Sequence, residues 1–307
     1  MTSRTTPPLV SIAMVVFHPH PVYFREAVQS ILAQTFPDFE LIVLEDPSPV
    51  CGRDLLAGLD DRRIRYILNP RRTSLVAQRN RVLAEARADL VAVHDADDIS
   101  EPTRLEKQVS YLRAHPEVGI VGSQVCVIDS IGAVCGYRAF PLDHHSIRQA
   151  MKRFLPVSQP STMFWKALVM EAGGYRESGA SIVGAEDYDL VCRLALRGVH
   201  FANLPEALLQ YRLHPNQLKA THLRDIIRGT IRVKRCYWEG QLDLSSRIWL
   251  WGEYLLLCLP IALIRPMLIH LLYHHPKLEK AIAPSLAAAP AVHRLGLSAE
   301  NPTETAL

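Results

Sequence analysis

The sequence lacks several patterns that would assign it to a common class. Its 307 residues include six cysteines but no Cys-x-x-Cys pair, which argues against a zinc module or a disulfide framework and predicts reduced, mostly core cysteines. A net charge of +3, without a basic run interleaved with aromatics, argues against a nucleic-acid partner. A Gly-x-Gly-x-x-Gly motif and a P-loop lysine motif are both missing, which argues against dinucleotide and triphosphate-hydrolysing sites of those kinds. Residues 1–8 lack the pattern of a secretory signal, from which we expect a cytoplasmic location.

The sequence does contain an alternation of strand-like and helix-like segments. Hydrophobic residues make up 49% and charged residues 21%, which is typical of a globular chain, and the length allows a sizeable core. The alternation predicts an α/β fold with a mostly parallel central sheet and helices on both faces. The first expected strands are residues 10–17, 40–44, 64–68 and 90–93, and the expected helices are 23–34, 75–88 and 104–114.

Three carboxylates follow the expected strand 90–93 within four positions: Asp95, Asp97 and Asp98. Such a cluster at a strand end is costly unless a cation neutralises it, which predicts a divalent-metal site. Alternate side chains of an extended segment point the same way, so Asp95 and Asp97 can face one cation or its bound diphosphate together. The alternative interpretation is an acidic turn in which Asp98 caps the next helix.

A further acidic position, Asp46, follows the expected strand 40–44. In parallel α/β sheets, ligands bind outside the carboxyl ends of the strands, where Asp46 and the Asp95 cluster would both lie. We therefore expect these acidic residues to belong to one site.

Several segments resemble the family 2 glycosyltransferases, which have the GT-A fold, and the resemblance covers residues 10–216. Residues 10–15 and 27–43 are similar to the family's first strand, first helix and second strand. Asp46 matches the aspartate that binds the donor's nucleobase. The remaining matches follow in the family's order: Asp95-Ala96-Asp97 resembles the DxD motif, Glu186-Asp187 the acidic pair, and Tyr211-Arg212-Leu213-His214-Pro215-Asn216 the closing motif.

The resemblance implies a role for each of these residues. Asp97 would hold a divalent cation, Mn²⁺ or Mg²⁺, which stabilises the diphosphate leaving group, and His214 would complete the coordination through nitrogen. Asp95 would hold the ribose or support the metal. Asp187 would accept the proton of the attacking hydroxyl, and direct displacement with this single base would invert the anomeric carbon.

Structural interpretations stand beside some of these roles. Glu186 is assigned to donor binding, but the pair Glu186 and Asp187 is also suited to the first turn of a helix through the helix dipole. Arg212 is assigned to the pyrophosphate, and a surface or strand-supporting arginine fits the sequence equally well.

The sequence also departs from the family pattern beside Asp46. Glu45-Asp46-Pro47-Ser48 stands where family members usually show Asp-Asp-Gly-Ser, and proline stiffens this loop. The first strand ends in Val15-Val16-Phe17-His18 rather than Pro-Thr-Tyr-Asn, which removes a polar side chain near the expected nucleobase pocket. UDP remains the expected donor nucleotide.

The composition of the chain changes near residue 221. Arginines recur every three or four residues along a predicted helix, and an apolar stretch, 248–273, follows, interrupted by Glu253, Pro260 and Arg265. These interruptions argue against a membrane span and favour an element lying in an anionic membrane surface, with a homodimer interface as the alternative. The predicted divisions are a GT-A domain, 1–220, a membrane-associating or dimerising helical segment, 221–275, and a disordered tail, 276–307.

Together these features predict an inverting, metal-dependent glycosyltransferase that moves a hexose or N-acetylhexosamine from a nucleotide-sugar to a hydroxyl. A protein on the inner face of the cytoplasmic membrane would suit a lipid-linked or saccharide acceptor in the synthesis of cell-surface polysaccharide or lipopolysaccharide. Two alternatives stay open: a catalytically silent donor-binding or scaffold protein, and a metal-dependent nucleotidyltransferase. The second class generally has a glycine-rich basic loop after its first strand, and residues 17–21 do not form one.

Overall fold

A mixed β-sheet forms the centre of the protein, in a computed structural model that describes residues 6–177, 185–217, 221–264 and 267–268. Its strands are β1 Val10–Val16, β2 Phe39–Glu45, β3 Ile64–Leu68, β4 Leu90–Val93, β5 Ile99–Ser100, β6 Val118–Ile128, β7 Val134–Arg138, β8 Met163–Trp165 and β9 His200–Arg212. They lie in the order β3-β2-β1-β4-β8-β6-β9-β5, and β7 pairs with β6.

The half of the sheet formed by β1 to β4 is parallel, as predicted. Beyond β4 the sheet is mixed, because β8 runs antiparallel to both β4 and β6 and β5 runs antiparallel to β9, while β6 and β9 are parallel. The prediction of a mostly parallel sheet is therefore wrong for this half. β8 has three residues, too few for a hydrophobic period to indicate how a strand is paired.

Helices cover both faces of the sheet, which confirms that part of the prediction. One apolar core cluster joins a sheet face to α1 and α4, and a second joins the opposite face to α3, α6 and α7. The helices up to residue 196 are α1 Pro21–Leu32, α2 Gly52–Leu55, α3 Leu75–Glu85, α4 Arg104–Ala114, α5 His144–Ala150, α6 Lys166–Glu171 and α7 Glu186–Leu196.

Two further helices follow, α8 Leu223–Trp238 and α9 Leu244–Cys258. The end of α8 is fastened to α7, since Trp238 is buried and its Nε1 donates to Sγ of Cys192 at 3.2 Å, and the Tyr237 hydroxyl donates to Asp189 at 2.5 Å. Within the described ranges, no helix has the length and apolar character needed to cross a bilayer. The predicted tail, 276–307, lies outside the described residues.

Candidate active site

Three carboxylates lie together at the carboxyl end of β4. Ligand oxygens of Asp95, Asp97 and Asp98 all lie within 4.8 Å of one another, and Asp98 is fully buried. The alternative in which Asp98 caps the next helix is wrong, because α4 begins at Arg104 and Oδ1 of Asp98 instead accepts from the backbone N–H of Arg212 at 3.0 Å. The short strand β5 separates Asp98 from α4 and pairs with β9.

His214 reaches this trio from the far end of β9. Its Nε2 lies 2.8 Å from Oδ2 of Asp97, although the two residues are 117 positions apart. Carboxylate oxygens and one imidazole nitrogen form a donor set that fits Mg²⁺ or Mn²⁺. The structure thus brings together Asp95, Asp97 and His214, as the predicted metal and donor roles require.

The buried side chain of Arg212 contacts the backbone of the acidic cluster. Its side chain is 2% exposed and forms an ion pair with Glu26 at 2.6 Å. Nε of Arg212 also donates to the carbonyl oxygen of Asp97 at 3.0 Å, and the guanidinium stacks on the ring of Tyr23 at 4.5 Å. These contacts match the strand-supporting interpretation of Arg212; a contact with the pyrophosphate stays a prediction.

A stack of aromatic rings packs beside the predicted nitrogen ligand. The ring of Tyr23 lies 5.3 Å from that of His214 and is stacked on His20 at 3.8 Å. Burial, followed by the neighbouring charges of His214 and Arg212, lowers the pKa of His20. Sequence reasoning did not single out either ring of this stack.

The acidic pair Glu186 and Asp187 forms the start of α7. Glu186 is 2% exposed and forms an ion pair with Arg79 of α3, while the Asp187 carboxylate accepts from the backbone of Tyr188 at 2.7 Å. Burial disfavours the charge of Arg79, but Glu186, followed by Tyr175 and the carboxylates of Asp187 and Asp95, outweighs this effect, so the pKa of Arg79 is raised. Arg79 therefore links the end of β4 electrostatically to the first turn of α7.

Asn80, the neighbour of Arg79, clamps the glycine turn after α6. Its Nδ2 donates to the Tyr175 carbonyl and its Oδ1 accepts from the Tyr175 N–H, each at 2.8 Å. Gly174 has a φ of +65°, and a Cβ there would clash with Oδ1 of Asn80. Asn80 and Tyr175 are 95 positions apart, so nothing in the local sequence indicates this contact.

Asp46 is fully buried at the end of β2. It accepts from the backbone N–H of Thr73 at 2.6 Å and from the side chains of Asn69 and Thr73. Burial raises the pKa of Asp46, but these hydrogen bonds outweigh it and leave the pKa below its ordinary value. Next to this loop, the exposed ring of Phe17 lies under the Arg72 guanidinium at 4.1 Å. Recognition of a nucleobase by Asp46 stays a prediction.

His94 is a buried residue that sequence reasoning missed. Its Nδ1 donates to the carbonyl oxygen of Asp95 at 2.7 Å, and its Nε2 has no hydrogen-bond partner among the described residues. Burial, with the charge of Arg104, lowers the pKa of His94 to about 3, so the ring is neutral at pH 7. The residue fixes the backbone from which Asp95 projects.

Family models match most of this chain. The model of glycosyl transferase family 2 matches residues 11–157, and that of glycosyl transferase family group 2 matches residues 90–293. The chain belongs to the family 2 glycosyltransferases. Among its relatives, an uncharacterized glycosyltransferase of Haemophilus influenzae is 30% identical over 260 residues, 78% of this chain and 77% of the relative. The O-antigen biosynthesis glycosyltransferase WbnJ of Escherichia coli is 29% identical, over 67% of this chain and 80% of its own length.

Solved structures share the fold of this chain. The S. aureus protein TarS, residues 1–349 in complex with UDP-GlcNAc, gives a TM-score of 0.58 at 15% identity, over 92% of this chain and 81% of that chain. The mannosyltransferase PcManGT from Pyrobaculum calidifontis, in complex with GDP-Man and Mn²⁺, gives a TM-score of 0.56 at 18% identity, over 91% and 84%. These similarities confirm the α/β, GT-A-like fold of this family 2 glycosyltransferase.

Proposed function

We propose that this glycosyltransferase moves a hexose or N-acetylhexosamine from a nucleotide-sugar to an acceptor hydroxyl with inversion at the anomeric carbon. The observation that carries the proposal is the contact between Nε2 of His214 and Oδ2 of Asp97, 2.8 Å apart, beside the carboxylates of Asp95 and Asp98. This donor set fits a divalent cation, Mn²⁺ or Mg²⁺, which would supply charge stabilisation for the departing nucleoside diphosphate.

The carboxylate of Asp187 is the proposed base. As the acceptor oxygen bonds to the anomeric carbon, the bond between that carbon and the diphosphate oxygen breaks, and the hydroxyl proton passes to Asp187. Its neighbour Glu186 is held by Arg79, which fixes the first turn of α7 and therefore the position of Asp187. A single base and one displacement give inversion.

The proposed donor is a UDP-sugar, held through its base by the Asp46 loop and through its ribose and diphosphate by Asp95, Glu186 and Arg212. Structures similar in fold contain UDP-GlcNAc in TarS and GDP-Man in PcManGT, which supports a nucleotide-sugar of either nucleotide. The altered sequence after Asp46 is the reason to include GDP-sugars in the test.

The proposed acceptor is lipid-linked or saccharide, in the assembly of a surface polysaccharide or lipopolysaccharide, because WbnJ is named for O-antigen biosynthesis. A cytoplasmic location on the inner membrane face would suit such an acceptor. A homodimer is the alternative arrangement for the C-terminal helices.

Donor hydrolysis tests the proposal directly. We expect slow release of UDP from a UDP-sugar in the presence of Mn²⁺, with Asp97→Asn losing the metal-dependent thermal shift and Asp187→Asn keeping donor binding without transfer. Asp89→Asn, an exposed aspartate just before β4, is the matched control and should behave as the wild type. Donor binding without turnover would favour the catalytically silent alternative, and release of pyrophosphate would favour a nucleotidyltransferase.

A further inference from the structure

An open groove of about 420 Å³ lies along α8 and α9 and shares no lining residue with the candidate active site. Arg228, Arg232 and Arg235 of α8 line it together with Tyr254 of α9. Spacings of four and three residues place the arginines on one side of the helix. Arg228 pairs with Asp225, and Arg235 pairs with Glu239, which also lines the groove. The side chains of Arg228 and Arg235 are still 62% and 55% exposed, and exposed ion pairs of this kind are weak.

An exposed apolar stripe runs along α9 beside this groove. Leu244, Ile248, Trp251 and Leu255 recur at helical spacing and are 75%, 64%, 73% and 64% exposed. Side chains of this size are normally exposed singly, so an aligned row of four marks an interaction surface.

The acidic residue of α9 is directed away from this stripe. Glu253 forms an ion pair with the fully buried Lys234 at 2.6 Å and accepts from Thr230. In the sequence Glu253 interrupts the apolar run, but in the structure it packs against α8. Glu253 therefore adds no negative charge to the stripe.

The groove and the stripe are continuous. The ring of Trp251, in the stripe, lies 6.2 Å from the ring of Tyr254, in the groove. We call the three arginines and the four apolar residues together the α8–α9 surface. It combines a basic row with an adjacent apolar row.

Charge decides between the possible occupants of the α8–α9 surface. Residues 269–307 contain three basic and three acidic residues, so they offer no net negative charge to the arginine row. In a two-fold contact centred on the arginine row, a second copy of the chain would place its own arginines against that row, which is repulsive. An anionic bilayer complements both rows, because it offers phosphate charges above apolar chains.

We propose that the α8–α9 surface docks the chain on an anionic lipid bilayer. Arg228, Arg232 and Arg235 contact the headgroup phosphates, and the stripe led by Trp251 enters the interface. This inference deepens, and rests on, the membrane location given with the proposed function. It is tested without donor or acceptor, so it stands or fails separately from the transfer reaction.

Vesicle co-sedimentation of the full chain tests the proposal. We expect binding to phosphatidylcholine mixed with phosphatidylserine and little binding to phosphatidylcholine alone. Arg228→Gln with Arg235→Gln should weaken partitioning by about fivefold for each arginine, since each basic side chain near an anionic surface contributes about 1 kcal/mol. Trp251→Ser should also reduce binding, because it removes apolar area from the interface.

Matched controls separate this surface from general charge and hydrophobicity. Arg113→Gln, at the exposed end of α4, and Ile131→Ser, on a turn where the side chain is 82% exposed, should bind vesicles as the wild type does. Equal binding to neutral vesicles, or unchanged binding of the arginine variant, would overturn the proposal. If the chain self-associates in the absence of vesicles and Trp251→Ser abolishes this self-association, the surface binds a second copy of the chain instead. UDP release measured in vesicle-free solution reports on the transferase proposal alone.

Discussion

The link between Arg79 and Glu186 allows a quantitative prediction. Arg79→Met keeps a side chain of similar length but removes the guanidinium that faces Glu186, Asp187 and Asp95. Removing one partner of a buried ion pair costs about 3–5 kcal/mol, because the remaining charge is left uncompensated. The Arg79 side chain is 12% exposed and that of Glu186 is 2% exposed, so we expect the lower end of that range, a loss of about 3 kcal/mol in the free energy of unfolding.

Removing the negative charge of the pair should destabilise the chain less than removing the positive charge. Glu186→Gln leaves Arg79 with Asp187 and Asp95 as neighbours and keeps a hydrogen-bond acceptor, so a loss of about 1 kcal/mol is expected. The double variant Arg79→Met with Glu186→Met should recover part of the single Arg79→Met loss, because no buried charge of that pair remains. The order of the three variants is therefore part of the prediction.

Urea unfolding of the nucleotide-free chain, followed by circular dichroism and tryptophan fluorescence, measures these losses. The control is Arg87→Met, since Arg87 is 60% exposed and lies 3.9 Å from Glu40, which predicts a loss below about 1 kcal/mol. If Arg79→Met and Arg87→Met cost the same within error, the buried ion pair does not hold α7 as argued. In the hydrolysis assay, displacement of Asp187 by Arg79→Met should lower kcat by about 100-fold.

Three further perturbations test other contacts. Asn80→Ala loses both hydrogen bonds to the Tyr175 backbone and should cost about 2 kcal/mol in urea unfolding, whereas Asn80→Asp, which keeps the acceptor, should cost less. The pKa of Asp46 is lowered in the folded chain, so its carboxylate stabilises the fold above the ordinary pKa of 3.8. The difference in the free energy of unfolding between wild type and Asp46→Asn should therefore shrink as the pH falls below that value. A difference that stays constant with pH would contradict this. Lys234→Met leaves the Glu253 carboxylate buried without its cation and should cost about 3 kcal/mol in the free energy of unfolding. Adding Glu253→Leu should reverse this loss, and thermal unfolding of the two variants checks both expectations.

Segments with strong local patterns were predictable from the sequence. The bounds of β3, β4 and α4 agree with the expectation to the residue, because alternation and helical periodicity are local properties. The long strand β9, His200–Arg212, has a register with β6 that shifts near Ser123 and Gln124. Such irregularities depend on the neighbouring strand, so they leave little signal in the strand's own sequence.

The site was predictable only where a motif carried it. The Asp97 and His214 contact joins residues 117 positions apart, and it was expected because each lies in a segment that resembles the family. No such motif includes Arg79, His94 or Asn80. Arg79 and Asn80 contact partners that lie far away in the sequence, and His94 acts through its burial and a backbone hydrogen bond. The alternative in which Asp98 caps the next helix failed because a two-residue strand, β5, cannot be recognised from composition.

The fastening of α8 to α7 has a mechanical consequence. Tyr237 donates to Asp189, two residues after the proposed base, and Trp238 contacts Cys192 one turn further along the same helix. The α8–α9 surface and the proposed base, Asp187, therefore belong to one packed set of helices. On the bilayer proposed above, these packed helices would hold Asp187 at one height above the lipid surface, and an acceptor hydroxyl would have to be presented at that height.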